Sequence, residues 1–534
     1  MLRKIIAGSV LGIEAKEITV EVCISAGNKY EIIGLPDASI RESFQRIDSA
    51  LRNTEFRMPR QKILVNLAPA DLHKEGAAFD LSIAVGILAC SEQWTGFDLS
   101  GYLIMGELSL DGGIHPIKGV LPLAILAKEN GLKGCILPWE NSREAGIISG
   151  LEILGLKSLT DFKFLTPDSR KKFLWNPGMC SSSLASLLTP PLTTSFFTSN
   201  EAAIRINHSP GSFFDFSEVK GQSDIKRALE VACAGGHNVL LIGPPGSGKT
   251  MLAQRIPGIL PELSIEEAIE CTKIHSVKSQ QVNRGLLNTR PFRSPHHSIS
   301  DIALVGGGYN LNPGEISLAH NGILYLDELP EFKRSALEVL RQPLENGKIT
   351  ISRARFSVEY PASFMLVASM NPCPCGNYNH PEVECICPPG VVQKYLSRVS
   401  GPLLDRIDIQ IEVTPVPFHE LSSLENKESS LLIRERVLKA REIQRQRIKK
   451  RPTPGIYTNA QLDKKWIGEV CQIDNKSTIL LKRAMDNLKL SARGYDRILK
   501  VSRTIADLDG AEQIKSKHLA EAIHYRSLDK THWR

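Results

Sequence analysis

No run in the 534-residue sequence approaches the ~18–20 consecutive apolar residues that a membrane-spanning helix needs. The opening, MLRKIIAGSVLGIEAKE, places Arg3-Lys4 before an apolar stretch, but Gly8-Ser9 and Gly12 interrupt it and no small-residue cleavage site follows. It runs straight into ITVEVCIS and reads as a folded strand. That predicts a cytoplasmic protein whose 11 cysteines are reduced unless they hold metal. Charge of one sign is also in short supply: 65 Lys+Arg against 58 Asp+Glu leave +7. Over this length such a balance argues for nucleic acid only where it is locally concentrated. Aromatic residues do not interleave with basic ones as base stacking would require, so any nucleic-acid binding should be largely independent of sequence. With 42% apolar and 23% charged residues, global disorder, collagen and a disulfide miniprotein are excluded, and the length suits three or four domains.

Composition shifts divide the chain. Met179 to Asn200 (MCSSSLASLLTPPLTTSFFTSN) is rich in Ser and Thr, holds a Pro pair and shows no periodicity, as an interdomain linker does. Four segments follow: residues 1–165, a linker over 166–209, a core over 210–424 and a helical segment over 425–534. In the first, Ile18 to Ile24 alternates with period two, and Lys62–Leu67, Gly101–Gly106 and Gly134–Pro138 are further strand candidates. Asp80–Cys90 and Val120–Asn130 carry helical signals, so the segment is mixed α/β. In the core, short apolar strands end in polar loops with helices between, which predicts a parallel α/β sheet with its site at the strand carboxyl ends.

The strand NVLLI runs into Gly243-Pro244-Pro245-Gly246-Ser247-Gly248-Lys249-Thr250, the G-x-x-x-x-G-K-[ST] phosphate loop, and a helix signal follows. Its backbone N–H groups would wrap the phosphates of ATP, Lys249 would reach the β/γ-phosphates, and the Thr250 hydroxyl would reach Mg²⁺. ILYL ends in Asp327-Glu328. Asp327 suits the Mg²⁺ shell, and Glu328 suits orientation of the attacking water. MLVASMN ends in Asn371, an uncharged group able to bond both γ-phosphate and water. Arg406 lies on a polar turn between apolar segments. It suits either a finger entering a neighbouring subunit's site or a structural pair with Asp405 or Asp408.

GPPGSGKT, RPFRSPHHSISD, LVGGG, PGEISLAHNGILYLDELPEF, LRQPLE, SMNPCPCG and YLSRVSGPLLDRIDI together resemble the magnesium-chelatase-like AAA+ ATPases, and within them the ComM/YifB group of competence proteins. The resemblance runs nearly end to end, the Ser/Thr-rich stretch excepted. It implies an ATP-driven ring, a homo-hexamer, acting as a branch-migration helicase on DNA during natural transformation. By position it makes Lys249 and Thr250 Walker A, Asp327 and Glu328 Walker B, Asn371 sensor 1 and Arg406 the arginine finger. Arg493 corresponds to the sensor 2 arginine of the related replicative helicases, with Arg497 as the fallback.

Gly106 to Gly113, followed by Pro116-Ile117-Lys118-Gly119-Val120, resembles the proteolytic domain of Lon-type proteases, which uses a Ser–Lys dyad. Ala78 stands where that family has Ser and Leu121 where it has Lys, while Ser82 and Lys118 are off-register, so the expectation is a non-catalytic scaffolding or interaction domain. Cys373, Cys375, Cys385 and Cys387 fall within fifteen residues, a set that suits a structural Zn²⁺ site, with His380 able to replace one thiolate and free or redox-active thiols as the alternative.

Lys348 to Phe356 alternates like a hairpin arm, with Thr350, Ser352 and Ala354 on one face and Ile349, Ile351, Arg353 and Arg355 on the other. In the replicative helicases the hairpin at this place enters the channel, which makes Lys348, Arg353 and Arg355 candidate DNA contacts. Residues 434–451 hold nine basic and two acidic residues, which suits either a phosphate-tracking helix or a charged linker helix. Three functions are thus in view: a DNA translocase, a chelatase-type ATPase remodelling a protein, and a DNA-binding scaffold with slow hydrolysis.

Overall fold

The computed structural model describes residues 1–72, 74, 76–176, 214–278, 285–308, 311–353, 356–378, 383–416, 428–450, 456–488 and 490–526. The expected linker stretch Met179–Asn200, Arg355 and His380 lie outside them. Two compact units are present: Met1–Asn207 with Ser264–Asn288, and His208–Leu263 with Thr289–Arg534.

The first unit is built on seven strands: β1 (Leu2–Leu11), β2 (Glu14–Ser25), β3 (Tyr30–Ile33), β4 (Lys62–Ala68), β5 (Tyr102–Ile104), β8 (Gly134–Pro138) and β9 (Glu152–Leu156), in the order β3-β4-β2-β1-β5-β8-β9. A separate short hairpin joins β6 (Glu107–Leu108) to β7 (Ile114–His115). β1 and β2 pair antiparallel from Leu2↔Cys23 to Leu11↔Glu14, turning at Gly12 with φ 67°. Alternation in β2 buries Ile18, Val20, Val22 and Ile24. The helix Asp80–Cys90 is apolar on all sides and packs on β1 and β2. Gly86 makes that approach achievable, because a Cβ there would stand 2.5 Å from Val22 Cγ2. The chain remains bonded to β9 through Trp175, whose N–H donates to Ile153 at 2.8 Å.

The helix Ile265–Lys278 belongs to this unit although it follows the phosphate loop in sequence. It packs on the helix Val120–Glu129. Ser276 donates its hydroxyl to the buried Glu144 carboxylate, whose Oε1 also accepts from Leu121 N–H at 3.0 Å. Burial raises the Glu144 carboxyl above its ordinary range.

The second unit holds an all-parallel sheet in the order β11-β14-β17-β10-β18, formed by β10 (Val239–Ile242), β11 (Phe292–Arg293), β14 (Ile323–Leu326), β17 (Met365–Met370) and β18 (Ile409–Glu412). β12 (Gly306–Gly307) and β13 (Asn312–Pro313) make a small ribbon, and β15 (Lys348–Arg353) and β16 (Phe356–Pro361) a longer hairpin. Every residue of β10, β14 and β17 is buried, as strands covered on both faces require. Helices Ser430–Lys449 and Ala492–Leu508 pack on the helix Ser223–Gly235. Among the described residues no helix is long and apolar enough to cross a membrane.

Candidate nucleotide site

The carboxyl ends of β10, β14 and β17 lie side by side, in register from Ile242↔Met370 and Leu326↔Ala368. β10 leads into the loop Gly243–Gly248, where Gly246 and Gly248 have φ of 77° and 89°, a region that glycine enters without steric cost. The helix Lys249–Ile259 starts directly after it and presents its positive end to the loop, the arrangement that receives phosphate. Gly243 N–H donates to Met370 O at 3.1 Å, tying the loop to β17, and the Ser247 hydroxyl donates to Pro244 O at 2.8 Å.

Lys249 uses all three ammonium donors: to Gly243 O and Pro244 O at 2.8 Å each, and to Asn371 Oδ1 at 3.2 Å. Burial lowers its pKa, against the opposing pull of Asp327 and Glu328. Thr250 donates its hydroxyl to Asp327 Oδ2 at 2.8 Å. A hydroxyl and a carboxylate so close present hard oxygen ligands on one side, a donor set that fits Mg²⁺, whose other positions would come from water and phosphate. Asp327 Oδ1 accepts from the Ser369 hydroxyl and from Glu328 N–H, the latter at 3.0 Å. Tyr325 completes the network, its hydroxyl 3.0 Å from Ser369 Oγ and 3.3 Å from Thr250 Oγ1. Burial pushes the Tyr325 phenol up to about 12, so it remains a proton donor. Tyr325 and Ser369 were not anticipated. Their signal was faint: each is a polar residue in an apolar strand, two positions before Asp327 and Asn371, and period two puts each pair on one face.

Glu328 has φ 53° and ψ 50°, an uncommon conformation for a non-glycine residue. Its carboxylate Oε2 lies 3.3 Å from Nδ1 of His297, a residue of RPFRSPHHSISD.

Arg406 is buried, pairs with Glu345 at 2.5 Å and donates to Pro402 O at 2.6 Å. Arg493, more than half exposed, reaches the same Glu345 oxygen at 3.1 Å. Neither Asp405 nor Asp408 is the acid that Arg406 meets here. Asp408 is instead buried against Arg497, which also donates to Arg406 O at 2.8 Å.

The four cysteine sulfurs lie within 4.8 Å of one another. Cys373–Cys375, Cys375–Cys385 and Cys373–Cys385 are separated by 3.3, 3.6 and 3.7 Å. A tetrahedron of thiolates at ~2.3 Å from Zn²⁺ has edges of about 3.8 Å, so the set fits that ion closely. The backbone N–H of Asn377 and the Cys373 thiol pull Cys375 down to about 6, while the bonds that Cys385 and Cys387 make with Cys375 and Cys373 help to hold those two thiols up, so the cluster shares its charge rather than ionising thiol by thiol. Gly376, with φ 84°, touches the phosphate loop: a Cβ there would stand 2.3 Å from Pro245 Cδ.

In the hairpin, Ile349 and Ile351 are buried while Thr350 and Ser352 are exposed, and Lys348 pairs with Glu359 at 2.6 Å. The backbone of Arg353 ends β15, opposite Phe356. In the basic helix much of the charge is spent internally. Arg434 pairs with Glu262, Arg436 with Glu230 and Glu428, and Arg447 with Asp507, while Arg441 donates to Cys233 O. Those pairs favour the linker-helix reading of residues 434–451. In the first unit Ala78 is partly buried and Leu121 buried, and the Ser82 hydroxyl is turned to Ile104 O at 2.6 Å.

Family models described as magnesium chelatase, subunit ChlI, match residues 215–421; others, described as subunit ChlI of Mg-chelatase and as the ChlI C-terminal part, match residues 20–141 and 427–526. Competence protein ComM of Haemophilus influenzae is 43% identical over 521 residues, spanning 97% of this chain and 96% of its own. The uncharacterized protein YifB of Escherichia coli is 42% identical over 526 residues, with 97% and 96% covered. The magnesium-chelatase 38 kDa subunit of Rhodobacter capsulatus is 28% identical over 30% of this chain and 50% of its own length. With identity of this level sustained along almost the whole sequence, the chain belongs to the ComM/YifB group of magnesium-chelatase-like AAA+-type ATPases.

Proposed function

We propose that this ATPase is a ring-forming DNA translocase, a branch-migration helicase serving homologous recombination of incoming DNA. The observation that carries the ATPase part is the meeting of Lys249, Thr250, Asp327 and Asn371 beyond the carboxyl ends of three adjacent strands. Lys249 would exchange its loop carbonyls for β/γ-phosphate oxygens. Thr250 and Asp327 would hold Mg²⁺, which supplies charge neutralisation on the transferring phosphoryl group. Glu328 would orient the water and take its proton. Asn371, already bonded to Lys249, would bond γ-phosphate once the lysine moves. Arg406 would act on the site of a neighbouring subunit in a hexamer, Arg493 would serve as sensor 2, and the helices beyond residue 428 would form the lid.

Three features support DNA as the partner: the competence role in the name of the Haemophilus relative, the β15–β16 hairpin between Asp327 and Asn371, and the cysteine loop seated on Pro245, which would link the nucleotide site to a zinc-stapled element. The amino-terminal unit, Lon-like but lacking the Ser–Lys pair, would scaffold the ring. The chelatase names of the family models favour a second reading, remodelling of a protein partner. ATP turnover measured with and without a four-way DNA junction separates the two. Stimulation by the junction is expected, and exchanging Arg353 and Arg355 for Ala should flatten the slope of log K against log[salt] by roughly 0.7–0.9 per lost contact. Absence of any DNA effect on the native protein would reject the translocase.

A further inference from the structure

We infer that His297 is the positioning residue of Glu328, holding its carboxylate in the direction from which it orients the hydrolytic water. The inference rests on the reading of Glu328 given above and extends it to a residue on another strand's loop. The backbone of Glu328 is pinned: its N–H donates to Asp327 Oδ1 at 3.0 Å and its carbonyl accepts from Glu331 N–H at 2.8 Å. The side chain is not fixed by those bonds. It has three rotatable torsions, is 54% exposed, and left alone would sample solvent. His297 Nδ1, 3.3 Å from Oε2, is the group that restricts it.

The position of the imidazole follows from the fold. β11 pairs with β14 with Arg293 opposite Leu324, and His297 lies four residues beyond Arg293, just as Glu328 lies four beyond Leu324. The two loops therefore leave neighbouring strands at the same height. The ring itself is held by its neighbours. Its centroid is 4.0 Å from that of His296, which is fixed by Ser298 at 2.8 Å, and Phe332, buried just after the turn that Glu328 opens, meets it edge-on at 6.5 Å. An imidazole nitrogen this close to one carboxylate oxygen leaves the other oxygen free to accept from water, and it reduces the torsional freedom lost on reaching the transition state. RPFRSPHHSISD thereby acquires a role at the site.

The test is steady-state ATP hydrolysis by the full chain, with binding of a fluorescent ATP analogue measured in parallel. His297→Ala should lower kcat by about ten-fold or more while KM and analogue affinity stay within about two-fold. His297→Phe, which keeps the ring packing without the N–H, should be equally slow. His297→Gln, which keeps a donor, should recover at least half of the native rate. Adding His297→Ala to Glu328→Gln should cost nothing further. Native or raised kcat in both His297→Ala and His297→Phe, failure of Gln to rescue, or an equal loss of affinity and turnover would overturn the inference. Native turnover in Glu328→Gln, or no hydrolysis by the native protein, would instead overturn the reading of Glu328 beneath it, and this inference with it.

Discussion

Substituting Gly376 by Ala tests whether the cysteine loop and the phosphate loop form one mechanical element. Two costs can be separated. Gly376 has φ 84°, and an L-residue in the left-handed region loses roughly 1–2 kcal/mol. The new Cβ would also stand 2.3 Å from Pro245 Cδ and 2.9 Å from its Cγ, so one of the two loops must move. Forcing an extra methyl into packed surroundings costs about 1–3 kcal/mol. Gly510 supplies the control: its φ is 64° and nothing lies within 4 Å of an added Cβ, so Gly510→Ala carries only the backbone cost. Denaturant titration should place Gly376→Ala about 1–3 kcal/mol below Gly510→Ala. If Pro245 is what gives way, affinity for a fluorescent ATP analogue falls as well, ten-fold for each ~1.4 kcal/mol transferred to the phosphate loop. Zinc content should be measured alongside, because Gly376 adjoins Cys375. Native nucleotide affinity, with stability no lower than that of Gly510→Ala, would refute the coupling.

Elemental analysis of protein purified without chelator should find about one zinc per chain, and Cys385→Ser should reduce it well below stoichiometric; no metal in the native protein would refute the Cys₄ assignment. Burial lifts the Asp80 carboxyl from 3.8 to about 6, despite Arg46 at 2.6 Å. Between those values the folded chain binds more proton than the unfolded chain, so this group makes stability fall as pH rises from about 4 to 6. The difference in unfolding free energy between the native chain and Asp80→Asn, measured across that window, should therefore change with pH; a constant difference would refute the shift.

What could be read from sequence was what depends on neighbours in sequence. The period-two stretch Ile18–Ile24 lies within β2, and the helical signal over Asp80–Cys90 matches the helix bounds. The strand–glycine–helix order around Lys249 was equally plain, because phosphate-loop geometry is set by consecutive residues. Partners brought from elsewhere in the chain were not legible. Nothing in LRQPLE announces that Glu345 meets Arg406 and Arg493, and nothing in RPFRSPHHSISD announces that His297 meets Glu328. The basic run at 434–451 left its two readings open for the same reason. Its charge is visible in sequence, but the acids that take it up, Glu230, Glu262 and Asp507, lie on other segments.

Because residues 264–288 fold with the amino-terminal unit, the backbone crosses between the units three times, at 207/208, 263/264 and 288/289. A single proteolytic cut between residues 177 and 213 therefore cannot release either unit as a separate polypeptide. The same routing governs inheritance. One genetic exchange in that stretch would bring in a foreign partner for the helix Ile265–Lys278, and the Ser276–Glu144 bond would have to be matched by chance. A functional hybrid needs three junctions, so the two units are expected to travel through evolution as an inseparable pair rather than as interchangeable modules.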